Sequence, residues 1–178
     1  SGLREGSLSI DYFKDVKESE IFYKALENIA KKRGDLGSNY KKYYDFIQPV
    51  FEGNEHFNKK LLYLACVLSH MDWGLGAFQK AELVFQETIN TPLLRLTHKE
   101  RIQLALSCYW RYCSIKYNPK MEYLTFLNNN EIFSSKQVGA ALRFSQSLTS
   151  ISTIFLEEFK LYKSCLLYTS DAADDLFR

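Results

Sequence analysis

The side chains able to do chemistry are few, and their spacing narrows what they can do. The chain has three histidines, His56, His70 and His98, and only His70 has a carboxylate close by in an apolar setting, Asp72. Residues two apart on a helix point to different faces, so this pair cannot close on one ion without ligands from other elements. A catalytic metal site would need those further ligands and an open position for water. A packed or capping role is the simpler reading of His70, and His98 reads as solvent-exposed at the start of a helix. Of the four cysteines, Cys66, Cys108 and Cys113 sit inside apolar helical patterns, and no pair has the C-x2-C spacing of a zinc site. These three read as free thiols of the core. No G-x-S-x-G elbow, P-loop, H-E-x-x-H or G-x-G-x-x-G is present. The basic clusters Lys41-Lys42, Lys59-Lys60 and Lys99 with Arg101 read as solvated polar faces.

At 178 residues the chain is long enough for one substantial domain. A formal net charge of +2 is too small to draw in nucleic acid or a membrane by bulk electrostatics. The first residues lack the charged segment and apolar run of a secretory signal, so a cytoplasmic protein is expected.

The elements that must position these side chains read as helices, giving an all-α fold class. The organising stretch is Leu61–Trp73, apolar all round a helical wheel and so expected to be covered on every side. It is too short to span a bilayer. Asn58 is its expected N-cap. Before it, Asp11–Arg33 reads as a surface helix with a break near Ser19, carrying Phe13, Val16, Ile21, Tyr23, Leu26, Ile29 and Ala30 inward and stopped by Gly34 and Gly37. Lys31-Lys-Arg33 suits the dipole at its own C-terminus. Tyr40, Tyr44, Ile47, Val50 and Phe51 predict a second amphipathic helix, ended or bent by Pro49.

After the Gly74-Leu-Gly76 turn, a shorter helix is expected to place Phe78, Leu83, Val84 and Phe85 inward, with Thr91-Pro92 breaking it. Thr97-His-Lys-Glu100 is a capping box that opens a long helix. Its residues Ile102, Leu106, Tyr109, Trp110 and Cys113 are expected to pack on the central helix, and Asn118-Pro119 to stop it. A short helix is expected around 121–127. Asn128-Asn-Asn130 then reads as a loop and Ser134-Ser-Lys-Gln137 as a second capping box, whose helix uses Gly139, Ala140 and Ala141 for close approach. From Ile151 to Tyr162 the pattern is clean for neither period, so strand and helix are both open, and the reading leans to a strand beginning there.

Separated stretches resemble one known family. Gly2-Leu-Arg-Glu-Gly-Ser-Leu8 is similar to the Gly-Leu-Arg-Glu-Gly-x-Leu segment of the Ppx/GppA phosphatases, the exopolyphosphatase and guanosine pentaphosphate phosphohydrolase family. Leu61-Leu-Tyr-Leu-Ala-Cys-Val-Leu-Ser-His-Met-Asp-Trp73 resembles that family's Leu-Leu-x-x-Ala-x-x-Leu-x-Asp-Ile-Gly-Trp helix. Val138-Gly-Ala-Ala-Leu-Arg-Phe-Ser-Gln-Ser-Leu148 resembles its Leu-Gly-x-Ala-Leu-Arg-Leu-Ala-x-x-Leu helix. The resemblance implies that residues 1–10 close an actin-like phosphatase domain and that 11–164 form a helical C-terminal domain, an HD-domain-like bundle truncated at its C-terminal part. Cys165-Leu-Leu-Tyr-Thr-Ser-Asp-Ala-Ala-Asp-Asp175 resembles the translation of a transposase-type sequencing adapter. Residues 165–178 are therefore set aside as a non-native tail.

For function, the resemblance implies a parent hydrolase that releases terminal phosphate from polyphosphate or guanosine pentaphosphate. Its catalytic carboxylate and Mg2+ sites would lie in actin-like lobes outside this chain, leaving no catalytic residue and no metal ligand here. Arg4 and Glu5 match a segment bordering the phosphate cleft. A planar guanidinium can take two phosphate oxygens at once, while the simpler alternative pairs Arg4 with Glu5 in a turn. The helical domain would cover the cleft, bind long anionic chains through lysines and arginines, and form a homodimer contact. Ser69 and His70 stand where HD enzymes carry adjacent His and Asp, so the metal-binding dyad is missing. Two other readings stay open: an HD-type metal-dependent nucleotide phosphohydrolase, and a non-catalytic helical interaction module.

Overall fold

Caps, glycines and apolar spacing lay down a succession of helices. The computed structural model describes residues 16–71, 74–92, 96–117, 121–152, 154–158 and 161, and every regular element among them is helical. The all-α class read from the sequence therefore holds for these residues.

Helix α1, Val16–Lys32, runs through Ser19 without the expected break, and its expected start at Asp11 lies outside the described residues. It buries Leu26 and Ala30 but leaves Ile21 65% exposed, so Ile21 is not on the packed face. Gly34, at φ 95°, stops it: the Asp35 N–H donates to the Ala30 carbonyl (3.0 Å) and the Gly34 N–H to that of Lys31 (3.1 Å). That pair of bonds is a Schellman cap, which needs a left-handed residue. Helix α2, Asn39–Ile47, follows a left-handed Ser38 that makes no capping bond. The buried Asp35 carboxylate caps it instead, accepting from the Asn39 N–H (2.8 Å) and the Tyr40 N–H (2.9 Å). Pro49 sits in a 3-10 turn, Gln48–Phe51, that bends the chain away.

Helix α3, Lys59–Leu68, is the apolar stretch, capped as expected by Asn58, which accepts from the Leu61 N–H (2.9 Å). All eight residues from Leu61 to Leu68 are buried. Helix α4, Ala77–Asn90, buries Ala81, Val84, Phe85 and Thr88. Phe78, expected inward, is 54% exposed. It lies a turn before the buried stretch, with its ring centre 6.4 Å from that of Tyr117.

Helix α5, His98–Trp110, opens on the expected capping box, with Thr97 accepting from the Glu100 N–H and Glu100 from the Thr97 N–H. Every residue from Ile102 to Trp110 is buried. It ends with Arg111 as C-cap, ahead of Asn118-Pro119, which lie outside the described residues. Ile102, Leu106, Tyr109 and Trp110 do not face α3. They join Ala81 and Phe85 of α4 in one core cluster, with Cys113 packed against it, while Leu104 and Cys108, one turn apart on the opposite side, join α3 in the other. So α5, not α3 alone, lies between the two halves of the core.

Helix α6, Met121–Leu124, is short. Helix α7, Asn129–Ile151, begins earlier than expected. Asn128 accepts from the Glu131 N–H (2.9 Å) and Glu131 from the Asn128 N–H (2.8 Å), so the asparagine run is a cap rather than a loop. The expected box at Ser134–Gln137 is helix interior, where the Ser135 hydroxyl donates to the Glu131 carbonyl (2.8 Å). Beyond Ser152, extended at φ −164° and ψ 137°, a single turn of helix, α8, Phe155–Glu158, replaces the expected strand. Leu156 and Leu161 bury into the core.

Helix α7 packs on α5 at backbone distance. A Cβ on Gly139 would stand 2.6 Å from the Trp110 Cβ and 2.9 Å from the Ser107 carbonyl oxygen, so the expected close approach is present. Because the colliding atoms are backbone and Cβ, they cannot swing aside. Gly139→Ala should lower unfolding stability by about 2–3 kcal/mol, read as a lower urea midpoint at unchanged slope; a loss under about 0.5 kcal/mol would show that the two helices separate freely.

The α7 cap carries a second test. Glu131 bonds the Asn128 N–H with one oxygen and the Lys99 ammonium with the other (2.8 Å). Burial works to raise its pKa, but Lys99 and the capping bond outweigh it and hold the carboxyl below its ordinary value. A carboxyl with a depressed folded pKa contributes stability above its unfolded pKa, and loses it as pH falls through the folded one. Glu131→Gln should thus cost about 0.5–1 kcal/mol at pH 7 and nothing at pH 2. Equal losses at both pH values would mean that the charge plays no part.

Candidate functional site

The polar side chains that the fold gathers most tightly lie where α3 and α5 end. Both helices stop inside the protein: Leu68, Ser69 and Trp110 have no exposure and Arg111 has 1%. The last carbonyls of a helix have no intrahelical donor and must find one elsewhere. Two guanidiniums and a phenol supply them. Arg33 donates to the Leu68 carbonyl and pairs with Glu87 of α4 at 3.1 Å. Tyr112 donates its hydroxyl to the Ser69 carbonyl at 2.8 Å. Arg143 of α7 donates to the carbonyls of Trp110 (2.8 Å), Arg111 (3.2 Å) and Cys113.

Arg111 is the centre of the cluster. Its Nη1 donates to Ser69 Oγ (2.7 Å), its Nε to Gln146 Oε1 (3.1 Å), and its Nη2 lies 3.5 Å from His70 Nδ1. The guanidinium carbon is 5.4 Å from the Tyr43 ring centre and 5.5 Å from that of Tyr112, within cation–π range. Burial pushes the Tyr112 hydroxyl pKa up, and the neighbouring Arg111 charge only partly offsets this, so the phenol stays protonated and can donate.

This arrangement decides what His70 can do. The Nδ1 of His70 faces a permanent cation at 3.5 Å, which disfavours a second cation at that nitrogen. Asp72, the carboxylate nearest to it in sequence, lies outside the described residues, as do Arg4 and Glu5, the expected phosphate ligands. Among the described residues no three His, Cys, Asp or Glu side chains come together. His98 is exposed as expected and sets its ring edge-on to Phe126.

The thiols behave as core residues. Cys66 and Cys108 are buried and free. Burial raises both pKa values, that of Cys108 to about 11, so neither is a thiolate at neutral pH. Cys113 is free and partly buried, and Cys165 lies outside the described residues. The basic clusters are only partly solvated. Lys42 pairs with Glu157 (2.9 Å) and Lys99 with Glu131 (2.8 Å), Lys59 is exposed, and Arg101 holds its Nε away from solvent with no partner. No described helix is long and apolar enough to cross a membrane.

Sequence reasoning missed Arg33, Arg111 and Arg143 as a group. A signal was present for two of them: Arg111 stands in Tyr109-Trp-Arg-Tyr112 and Arg143 in Leu142-Arg-Phe144, and an arginine inside an aromatic or apolar run has to be buried with partners. Arg33 was disguised by Lys31 and Lys32, because a basic run at a helix end is satisfied by its own dipole. The chain matches no family model, no curated protein and no solved structure.

Removing the central guanidinium should expose how much depends on it. Arg111→Ala leaves a cavity between two tyrosines and strips Ser69, Gln146 and His70 of their common donor, so stability should fall by about 3 kcal/mol in urea unfolding. Arg111→Lys should recover little of it, since one ammonium cannot reach three acceptors laid out for a planar fork. Full rescue by lysine would mean that only the charge matters there.

Proposed function

We propose that this chain is the helical accessory domain of an exopolyphosphatase-type phosphoanhydride hydrolase, similar to the Ppx/GppA phosphatases. The parent enzyme releases terminal phosphate from polyphosphate or guanosine pentaphosphate: water attacks the end phosphoryl group, the P–O–P bond breaks, and inorganic phosphate leaves. The observation that carries the reading is the ordered set of three resembling segments, Gly2–Leu8, Leu61–Trp73 and Val138–Leu148.

The fold supplies a physical reason for two of those segments. Leu61–Leu68 is buried throughout, so its apolar pattern serves packing. In the third segment Gly139 admits the α5 backbone, and Arg143 closes the carbonyls at the end of α5. A domain whose shared residues hold helices together suits an accessory role. The guanidinium beside His70 also weighs against metal-assisted hydrolysis at this helix end, the chemistry that an HD-type phosphohydrolase would need. Mg2+ and the general base belong, on this reading, to lobes that precede Gly2–Leu8.

The test begins with the source gene. Codons upstream of Ser1 should encode an actin-like domain. The protein expressed from the whole gene should release phosphate from polyphosphate or guanosine pentaphosphate with Mg2+, measured with molybdate, while the 178-residue chain alone releases none. An upstream region without such a domain would overturn the reading. So would nucleotide hydrolysis by the isolated chain with Mn2+ or Mg2+, which would move catalysis into the helical domain.

A further inference from the structure

Three buried serines, Ser107, Ser135 and Ser145, each donate a hydroxyl to the carbonyl one turn back at 2.8 Å. The Tyr109 phenol has no such outlet. Tyr109 is wholly buried, and its hydroxyl has no hydrogen-bond partner among the described residues. A buried hydroxyl left without a partner costs stability. The ring cannot swing to find one, being packed edge-on to Phe85 at 6.4 Å between ring centres.

What stands beside this hydroxyl is the thiol of Cys113. Cys113 lies one helical turn on, where its N–H donates to the Tyr109 carbonyl at 3.3 Å, so the two side chains share a face. Its own carbonyl accepts from Arg143, which holds the residue on both sides of its Cα, and it packs against the core cluster that contains Tyr109. Burial raises the phenol pKa, and the neighbouring thiol raises it further, so the hydroxyl keeps its proton and remains a donor. Sulfur is a weak acceptor, and the contact closes no hydrogen bond. Unlike Cys66 and Cys108, Cys113 is only partly buried. A small reagent can therefore reach one side of its sulfur while an unused donor faces the other.

We propose that Cys113 is a site of oxidation by a hydroperoxide, and that the Tyr109 hydroxyl holds the product as a sulfenic acid. The sulfur, as thiolate, attacks one peroxide oxygen; the S–O bond forms as the O–O bond breaks. With hydrogen peroxide the departing hydroxide takes up the proton shed by the thiol and leaves as water. Sulfur loses two electrons and the peroxide gains them. The new oxygen is a far better acceptor than sulfur, so the phenol gains the partner it lacks and the sulfenic acid is slowed on its way to the sulfinic acid. Both residues lie within this chain, so the site does not rest on the hydrolase reading.

The test uses the folded 178-residue chain carrying Cys165→Ser, so that the tail thiol does not compete. Hydrogen peroxide is added, then dimedone after increasing delays, and mass spectrometry of the peptides gives the sulfenic acid surviving at each cysteine. Cys113 should be labelled, and Cys66 and Cys108 should not. Tyr109→Phe should shorten the sulfenic acid lifetime at Cys113 about fivefold, the effect of losing one hydrogen bond. In the reduced chain the same variant should unfold at an equal or higher urea midpoint, because the hydroxyl it removes is unpartnered there. The proposal is overturned if Cys113 is not labelled or all three cysteines are labelled alike, if Tyr109→Phe leaves the lifetime unchanged, or if it lowers the midpoint of the reduced chain, which would show that the hydroxyl already has a partner.

Discussion

Two helices end inside this protein, and the cost of burying those ends constrains everything around them. A helix terminus in contact with water needs no help, but Leu68, Ser69 and Trp110 are shut away from it, and an unmet buried carbonyl costs about 1–3 kcal/mol. Each end is met by a side chain from a different part of the chain: Arg33 from the end of α1, Tyr112 from beyond α5, Arg143 from the middle of α7. Arg111 then joins Ser69 to Gln146 across the same region. The arginines thus act as tertiary caps. They fix where α1, α3, α5 and α7 meet, and that meeting place leaves His70 facing a permanent positive charge.

The second constraint is the seat of α7 on α5. Being buried on every side from Ile102 to Trp110, α5 cannot rely on a single apolar stripe. It carries Gln103 and Ser107 in its interior, each with a defined partner, His56 O and Gln103 O. Gly139 lets the α7 backbone approach closely enough for Arg143 to reach three carbonyls. Packing and capping therefore specify one another: a wider helix separation would leave the guanidinium short of its acceptors.

Much of the fold was legible because its signals are local. Asn58 and Thr97 were readable as caps, Gly34 as a stop, Pro49 as a bend, and the apolar density of Leu61–Leu68 as full burial. One cause of error is that periodicity says which residues share a face but not which neighbour covers it. Ile102, Leu106 and Tyr109 were correctly grouped, yet α4 rather than α3 receives them. Ser134–Gln137 met the sequence pattern for a capping box, but Asn128 with Glu131 met it one and a half turns earlier, and the helix had already begun. The cluster around Arg111 was hidden because its members are spread from Arg33 to Gln146 and converge only through tertiary packing.

The long-range contacts also bear on how the chain is made. Tyr43 meets Thr149, 106 residues on, and Asn54 meets Ser134, 80 residues on. During synthesis α1 to α5 emerge well before α7, and until Gly139 and Arg143 arrive the end of α5 stays open, with its carbonyls and the Trp110 face wet. A ribosome-bound intermediate of this chain would therefore present the kind of apolar surface that chaperones hold. The native arrangement closes late, when a helix from the last third slots against one from the middle. A protein whose interior waits for a helix as far along the chain as α7 is guarded against settling early into a partial fold, and is correspondingly exposed to aggregation while it waits.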